Sequence, residues 1–123
     1  MGVGRTVGGR SARPGSRAVA AWYEARGYRV LDRNWRVREG EIDLVVGRER
    51  AVVFCEVKTR RSAAFGAPVE AVTGRKRQRI RRLARRWLLE RSTGRGYDDV
   101  RFDVASVVPD GRGWVVEVVE GAF

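Results

Sequence analysis

Asp43, Glu56 and Lys58 are the residues of this 123-residue chain whose types and spacing could do chemistry. They fall in two short runs, 41–46 and 51–58, rich in β-branched and aromatic residues and separated by the polar segment 47–50. Residues two apart on a strand point to one face, so Glu41 shares a face with Asp43, and Glu56 with Lys58. Folded as an antiparallel hairpin with a four-residue loop, the runs bring three carboxylates and one lysine together. A carboxylate placed among Ile42, Leu44, Phe54, Cys55 and Val57 is costly to bury unless it is paired or holds a metal. Two to three carboxylates with no His favour a hard cation, Mg²⁺ or Mn²⁺. Such an ion polarises a phosphoryl oxygen and supplies a nucleophilic hydroxide. Lys58 could orient or deprotonate the attacking water, or stabilise charge in the transition state. The same alternation also fits a cross-strand ion pair on the open face of a half-buried sheet, and the pattern leaves both readings open.

Composition narrows the chemistry. The chain has no histidine and a single cysteine, Cys55. That excludes His-based zinc sites, Ser–His–Asp triads and an intrachain disulfide, and it suits a reducing cytoplasm. Of its 26 Lys and Arg residues, only Lys58 and Lys76 are lysines. A partly buried lysine can lose its proton near neutral pH and an arginine cannot, so Lys58 inside an apolar strand points to a role Arg will not fill. A net charge of +11 favours polyanionic partners: DNA, RNA or an anionic membrane. No apolar run approaches the roughly 20 residues that cross a bilayer, and no apolar leader is visible, so a cytoplasmic protein without a membrane partner is expected. The 43% hydrophobic and 33% charged residues are those of a globular protein.

The elements that must position these residues follow from periodicity. Residues 1–15, rich in Gly and Arg, read as a flexible basic arm. Gly2 and Gly4 follow no strand, so they make a poor phosphate loop. The rest, 16–123, fits one domain. A helix is expected over 16–26, with Ala18, Ala21, Trp22 and Ala25 as its apolar stripe, Ser16 as N-cap and Gly27 as the stop. A strand over 28–35 precedes the two charged runs. Beyond them lie a loop, 59–67, and a helical turn, 68–72. The clearest helix covers 74–90, with Ile80, Leu83, Ala84, Trp87 and Leu88 inward and Arg77, Arg81, Arg82, Arg85 and Arg86 on its flanks and outer side. That basic face is either solvated or turned to nucleic acid. After a loop over 92–99, strands over 100–108 and 114–119 flank a turn at Asp110–Gly111. The order is α-β-β-β-α-β-β, an α/β fold with a mixed sheet flanked by helices.

The stretch GEIDLVVGRERAVVFCEVKTR, residues 40–60, resembles the core signature of the PD-(D/E)XK nuclease superfamily, in which an Asp is followed on the next strand by Glu-x-Lys. Asp43, Glu56 and Lys58 match those positions. The chain also looks like the small bacterial proteins of the YraN family, related in motif to archaeal Holliday-junction resolvases. The likeness extends to Gly27–Tyr28, Asn34–Trp35–Arg36, Thr59–Arg60–Arg61, Phe65–Gly66, Lys76 and Arg101–Phe102–Asp103–Val104, and covers about residues 15–108. It implies a restriction-endonuclease-like fold and a Mg²⁺- or Mn²⁺-dependent endonuclease acting on DNA, branched or damaged structures included. Asp43 and Glu56 would then bind metal and Lys58 would act on the attacking water. Arg60, Arg61, Lys76, Gln78, Arg81, Arg82 and Arg85 are the candidate nucleic-acid contacts. One departure stands out: YraN-like proteins usually carry Gly-Glu where this chain has Gly15–Ser16, a position at which related resolvases place a metal-associated Glu. Glu24 does not match it, which leaves either a weaker metal site or Glu41 as a substitute. A nucleic-acid-binding module of the same fold without cleavage, and a structural partner in a DNA-processing assembly, are the other functions carried forward. The oligomeric state is left open, a homodimer included.

Overall fold

A computed structural model describes residues 13–60, 73–91 and 96–123. Helix α1 spans Pro14–Glu24, and strands β1, β2 and β3 span Arg29–Val37, Gly40–Arg48 and Ala51–Thr59. Helix α2 spans Gly74–Arg91, and β4 and β5 span Asp99–Asp110 and Gly113–Val119. The order is the one expected from periodicity. The five strands form one mixed sheet in sequence order. Neighbours are antiparallel except β3 and β4, because a parallel pair needs a long crossover and α2 lies in the only such connection.

Each turn has a local cause. Gly27 ends α1 with φ +89°, its N–H donating to Glu24 O while that of Tyr28 donates to Tyr23 O. That is a Schellman stop, which favours glycine at the left-handed position; Tyr28 therefore belongs to the cap, and β1 starts at Arg29. The β2–β3 connection is shorter than the expected four residues. Arg48 pairs with Ala51, leaving Glu49 and Arg50 as the turn. Two-residue hairpins need positive φ, normally signalled by Asn-Gly or Asp-Gly; here Glu49 supplies it, with φ 55°.

Helix α1 also differs from expectation. It opens at Pro14, whose fixed φ and missing N–H suit a first turn, while Arg13 makes no side-chain cap. Ser16 is not the cap but a buried helical residue. The buried positions are Gly15, Ser16, Val19, Ala20 and Tyr23, the expected period turned by one residue. Ala21 and Ala25 are exposed and Ala18 and Trp22 half-buried. The cause is Asp103 on β4, fully buried, which draws Tyr23 inward. Tyr23 Oη donates to its Oδ2 at 2.6 Å, Arg101 grips both oxygens at 2.8 and 3.0 Å, and Gly121 N donates at 3.0 Å. Trp22 is left at the rim, under the Arg26 guanidinium at 3.6 Å.

The sheet has a core on each face. Val19, Ala20 and Tyr23 of α1 pack on Leu44, Val46, Val53, Cys55, Ala105 and Val107. On the opposite face Leu83, Ala84 and Trp87 of α2 pack on Val45, Val52 and Phe54, with Phe54 edge-on to Trp87. At its far end α2 is tied to β1, where Trp87 Nε1 and Arg91 donate to Asp32 Oδ2 at 3.0 and 2.7 Å. Among the described residues no helix is long and apolar enough to cross a membrane. The expected arm before residue 13, Phe65–Gly66, the helical turn at 68–72 and the first part of the loop after α2 lie outside the described residues.

Candidate active site at the fork of two strands

The β2–β3 ladder runs from Arg48↔Ala51 to Leu44↔Cys55 and stops there. The β1–β2 ladder continues to Val37↔Gly40, and β3–β4 to Thr59↔Val107. Strands β2 and β3 therefore part at Asp43, with Glu56 across the fork. A freed backbone N–H needs a partner, and Asp43 supplies it: Val57 N donates to Asp43 Oδ2 at 2.8 Å. The two acidic residues thus meet where the backbone pairing gives way.

Glu56 is 7% exposed. Both lysines of the chain converge on its Oε2, Lys58 Nζ at 3.3 Å and Lys76 Nζ at 2.6 Å. Lys58 arrives along β3 from the same face. Lys76 arrives from the first turn of α2, fixed there by Thr73, whose Oγ1 accepts from Lys76 N at 3.2 Å. Burial, reinforced by repulsion from Glu56, pushes the Asp43 carboxyl up to about 7, against the pull of the Val57 N–H. The ammonium of Lys76, then burial, hold Lys58 below the usual lysine range, while Glu56 opposes them. Burial also pushes Lys76 down, but its shorter contact with Glu56 outweighs this and leaves it above the ordinary value. The two lysines, sharing one carboxylate, are thus shifted in opposite directions.

The expected convergence of three carboxylates does not form. Glu41 turns to β1, where Oε2 accepts from Asn34 Nδ2 at 2.9 Å and Oε1 lies 3.7 Å from Arg36. Beyond the fork β2 is paired only with β1, and Arg36 lies opposite Glu41, so those are its neighbours. Among the described residues no three acidic or cysteine side chains are grouped to hold a metal. Asn34, opposite Asp43 in the extended register, has φ 48° and a buried Oδ1 with no partner. Gly15 lies against the end of β3, where a Cβ would come within 2.8 Å of Thr59 Oγ1. Ser16 is therefore close to this end of the sheet, but it brings a hydroxyl and not a carboxylate.

The remaining candidates are spread out. Arg60 lines a shallow cleft with Ser106, Val108, Asp110, Val115 and Glu117, and Ser106 is the β4 neighbour of Lys58. Gln78, Arg82 and Arg85 are exposed on α2. Arg81 lies over the rings of Phe102 and Phe123 at 5.6 and 5.8 Å. Arg61 lies outside the described residues. Lys76, expected among the nucleic-acid contacts, instead sits in the acidic site. Two signals in the sequence pointed there: it is one of two lysines, and it extends the inward stripe of Ile80, Leu83 and Trp87 by one turn.

The Asp43–Glu56 pair fits a hard divalent cation on its chemistry. Two facing carboxylates in a partly dry fork repel each other, and Mg²⁺ is commonly held by one or two carboxylates with water completing its shell. Asp43 and Glu56 would hold it, with Lys58 beside the bound water.

The model of the uncharacterised protein family UPF0102 matches residues 15–107. A UPF0102 protein of Frankia casuarinae is 51% identical over 110 residues, covering 89% of this chain and 92% of its own. One from Moorella thermoacetica is 47% identical over 116 residues, covering 93% and 95%. One from Acidothermus cellulolyticus is 42% identical, covering 89% of each. With the match spanning both helices, the fork and most of β4, the chain belongs to the uncharacterised protein family UPF0102.

Proposed function

We propose that this protein is a Mg²⁺- or Mn²⁺-dependent phosphodiesterase acting on DNA. The observation that carries this reading is the buried Glu56 facing the half-buried Asp43 across the strand fork, with Lys58 beside it. The resemblance of Asp43, Glu56 and Lys58 to the PD-(D/E)XK signature supports it. A divalent ion there supplies Lewis acidity and a bound water of lowered pKa. Asp43 and Glu56 would hold the ion, the Val57 N–H orients the Asp43 carboxylate, and Lys58 would take or steer the proton of the attacking water. The decisive assay is metal-dependent nicking of linear, nicked and four-way-junction DNA, with Asp43→Ala as the control. Nicking that needs the metal and is lost in Asp43→Ala is the expected result. Lys58→Arg is expected to be nearly as inactive as Lys58→Ala, within about tenfold, because Arg stays protonated and is bulkier. Full turnover by the Arg variant would reduce the role of Lys58 to a bare positive charge.

A second reading, a nucleic-acid-binding module that does not cleave, is favoured by Ser16, which leaves the fork one carboxylate short. Metal-independent DNA binding with no nicking under any divalent ion would select it. Both readings share one expectation. Affinity for DNA should fall steeply with salt as phosphate contacts release counterions. Replacing Arg81, Arg82 and Arg85 with Ala should lower the slope of log K against log salt by about 2 to 3. The stability cost should stay near 1 kcal/mol, since of these three only Arg81 touches aromatic rings among the described residues and a partly exposed cation–π contact contributes about that much. An unchanged slope would move the DNA surface away from α2.

A further inference from the structure

We infer that Lys76 is a tethered counter-cation of the acidic site: its ammonium holds Glu56 until a divalent ion displaces it, so that metal loading releases Lys76 toward solvent and substrate. The inference rests on the metal-binding reading of Asp43 and Glu56 given above.

Four observations carry it. Lys76 makes the shortest ionic contact in the site, 2.6 Å to Glu56 Oε2, on the oxygen that Lys58 also reaches. A divalent ion taking Glu56 would meet two like charges there, and one of them must yield. Lys58 is held by β3, paired along its backbone with β4. The two side chains are about equally exposed, 29% and 32%, but Lys76 extends from the first turn of a helix and not from a paired strand, so it is the one whose backbone leaves it room to swing outward. A lysine in the first turn also opposes the helix dipole, and that turn of α2 holds no acidic residue. Its position therefore does nothing for the helix and is explained by Glu56. Finally, in a chain with 26 Lys and Arg residues, both lysines sit on this one carboxylate. A compact ammonium can share a single oxygen with a second cation where a planar guanidinium spans two.

Displaced from Glu56, the ammonium remains beside the fork, where it can neutralise a phosphate oxygen of the bound strand. Lys76 then acts as a positioning residue with two opposed effects. It weakens metal binding in the free protein, and it strengthens the binding of an anion once metal is present.

The test uses the full chain and two independent readouts. Free Mn²⁺ is titrated by electron paramagnetic resonance against wild type, Lys76→Gln and Glu56→Gln. Removing a like charge this close is expected to tighten Mn²⁺ binding about tenfold or more in Lys76→Gln, while Glu56→Gln loses it. In the wild-type protein, amine labelling read by mass spectrometry follows Lys58 and Lys76 separately during a Mg²⁺ titration. Labelling of Lys76 is expected to rise several-fold with the midpoint of metal binding. If wild type binds Mn²⁺, Lys76→Gln binds it no more tightly and Lys76 labelling stays flat, the counter-cation role is overturned and the metal site stands. If neither wild type nor Lys76→Gln binds Mn²⁺, the metal reading itself falls and this inference falls with it.

Discussion

Asp43→Asn is expected to make the metal-free protein more stable at pH 8 while removing its affinity for Mg²⁺ and Mn²⁺. The Asp43 carboxyl is raised from 3.8 to about 7, first by burial and then by Glu56. Between those values the folded state keeps a proton that the unfolded chain has released. Stability therefore falls as pH rises through that window and levels off above it. The rise corresponds to at most about 4 kcal/mol, and the exposed part of the fork trims this to about 2–3 kcal/mol. An amide at this position keeps an acceptor for Val57 N–H, adds a donor toward Glu56 and removes the buried repulsion. Urea unfolding at pH 5.5 and pH 8 measures the effect. Wild type should lose about 1–1.5 kcal/mol between the two conditions, the half of the window that lies above pH 5.5, and the Asn variant much less. Added Mg²⁺ should restore wild type at pH 8 and leave the variant unchanged, since only a ligand of the folded state stabilises it. A variant less stable than wild type at pH 8 would mean that the pair is not under electrostatic strain. Sites that bind cations commonly hold such strain in their empty state, and removing it trades function for stability.

Asp103→Ala is expected to cost about 3–4 kcal/mol, the largest loss from any single polar residue here. Asp103 is fully buried, and each of its oxygens accepts two hydrogen bonds, from Tyr23 Oη and Arg101 on one side and from Arg101 and Gly121 N on the other. Truncation would leave the Tyr23 hydroxyl and the Gly121 N–H without a partner. Arg101 is 30% exposed and can regain water, which keeps the loss below the upper end for a broken buried pair. The same carboxylate joins α1, β4 and the segment after β5, so the loss should appear as a cooperative fall in Tm of about 10 °C. Tyr23→Phe removes only one of the four bonds and should cost about 1 kcal/mol. Equal losses in the two variants would place the contribution in the Tyr23 ring and not in the carboxylate.

How much of this was legible beforehand depends on the residue. The order of elements was legible because the strands are alternating or continuous apolar runs and α2 carries an unbroken inward stripe. Gly27 and Asp110–Gly111 marked their stops through backbone freedom that only some residues have. For helix α1 periodicity gives the right period and the wrong face. Its alanines suit either side, and the choice was made by Tyr23 bonding a residue 80 positions away. The β2–β3 turn is two residues and not four, because Glu49 takes a conformation that its side chain does not advertise.

The site divides in the same way. That Asp43, Glu56 and Lys58 share one neighbourhood was determined by the sequence alone, since period-two strands joined by a short turn leave them nowhere else to go. Which further groups complete that neighbourhood was decided only by the tertiary structure. Glu41 is as close to Asp43 along the chain as Lys58 is to Glu56, yet it turns away because β2 is paired with β1 past the fork and Asn34 and Arg36 claim its oxygens. Lys76 lies 20 positions beyond Glu56 and reaches it at 2.6 Å, because α2 packs its inward face across the sheet and its first turn ends over the fork. Local sequence sets which face a strand residue takes. Which neighbour answers it depends on where paired strands part and where a helix ends, and that is fixed by contacts between residues distant in the chain.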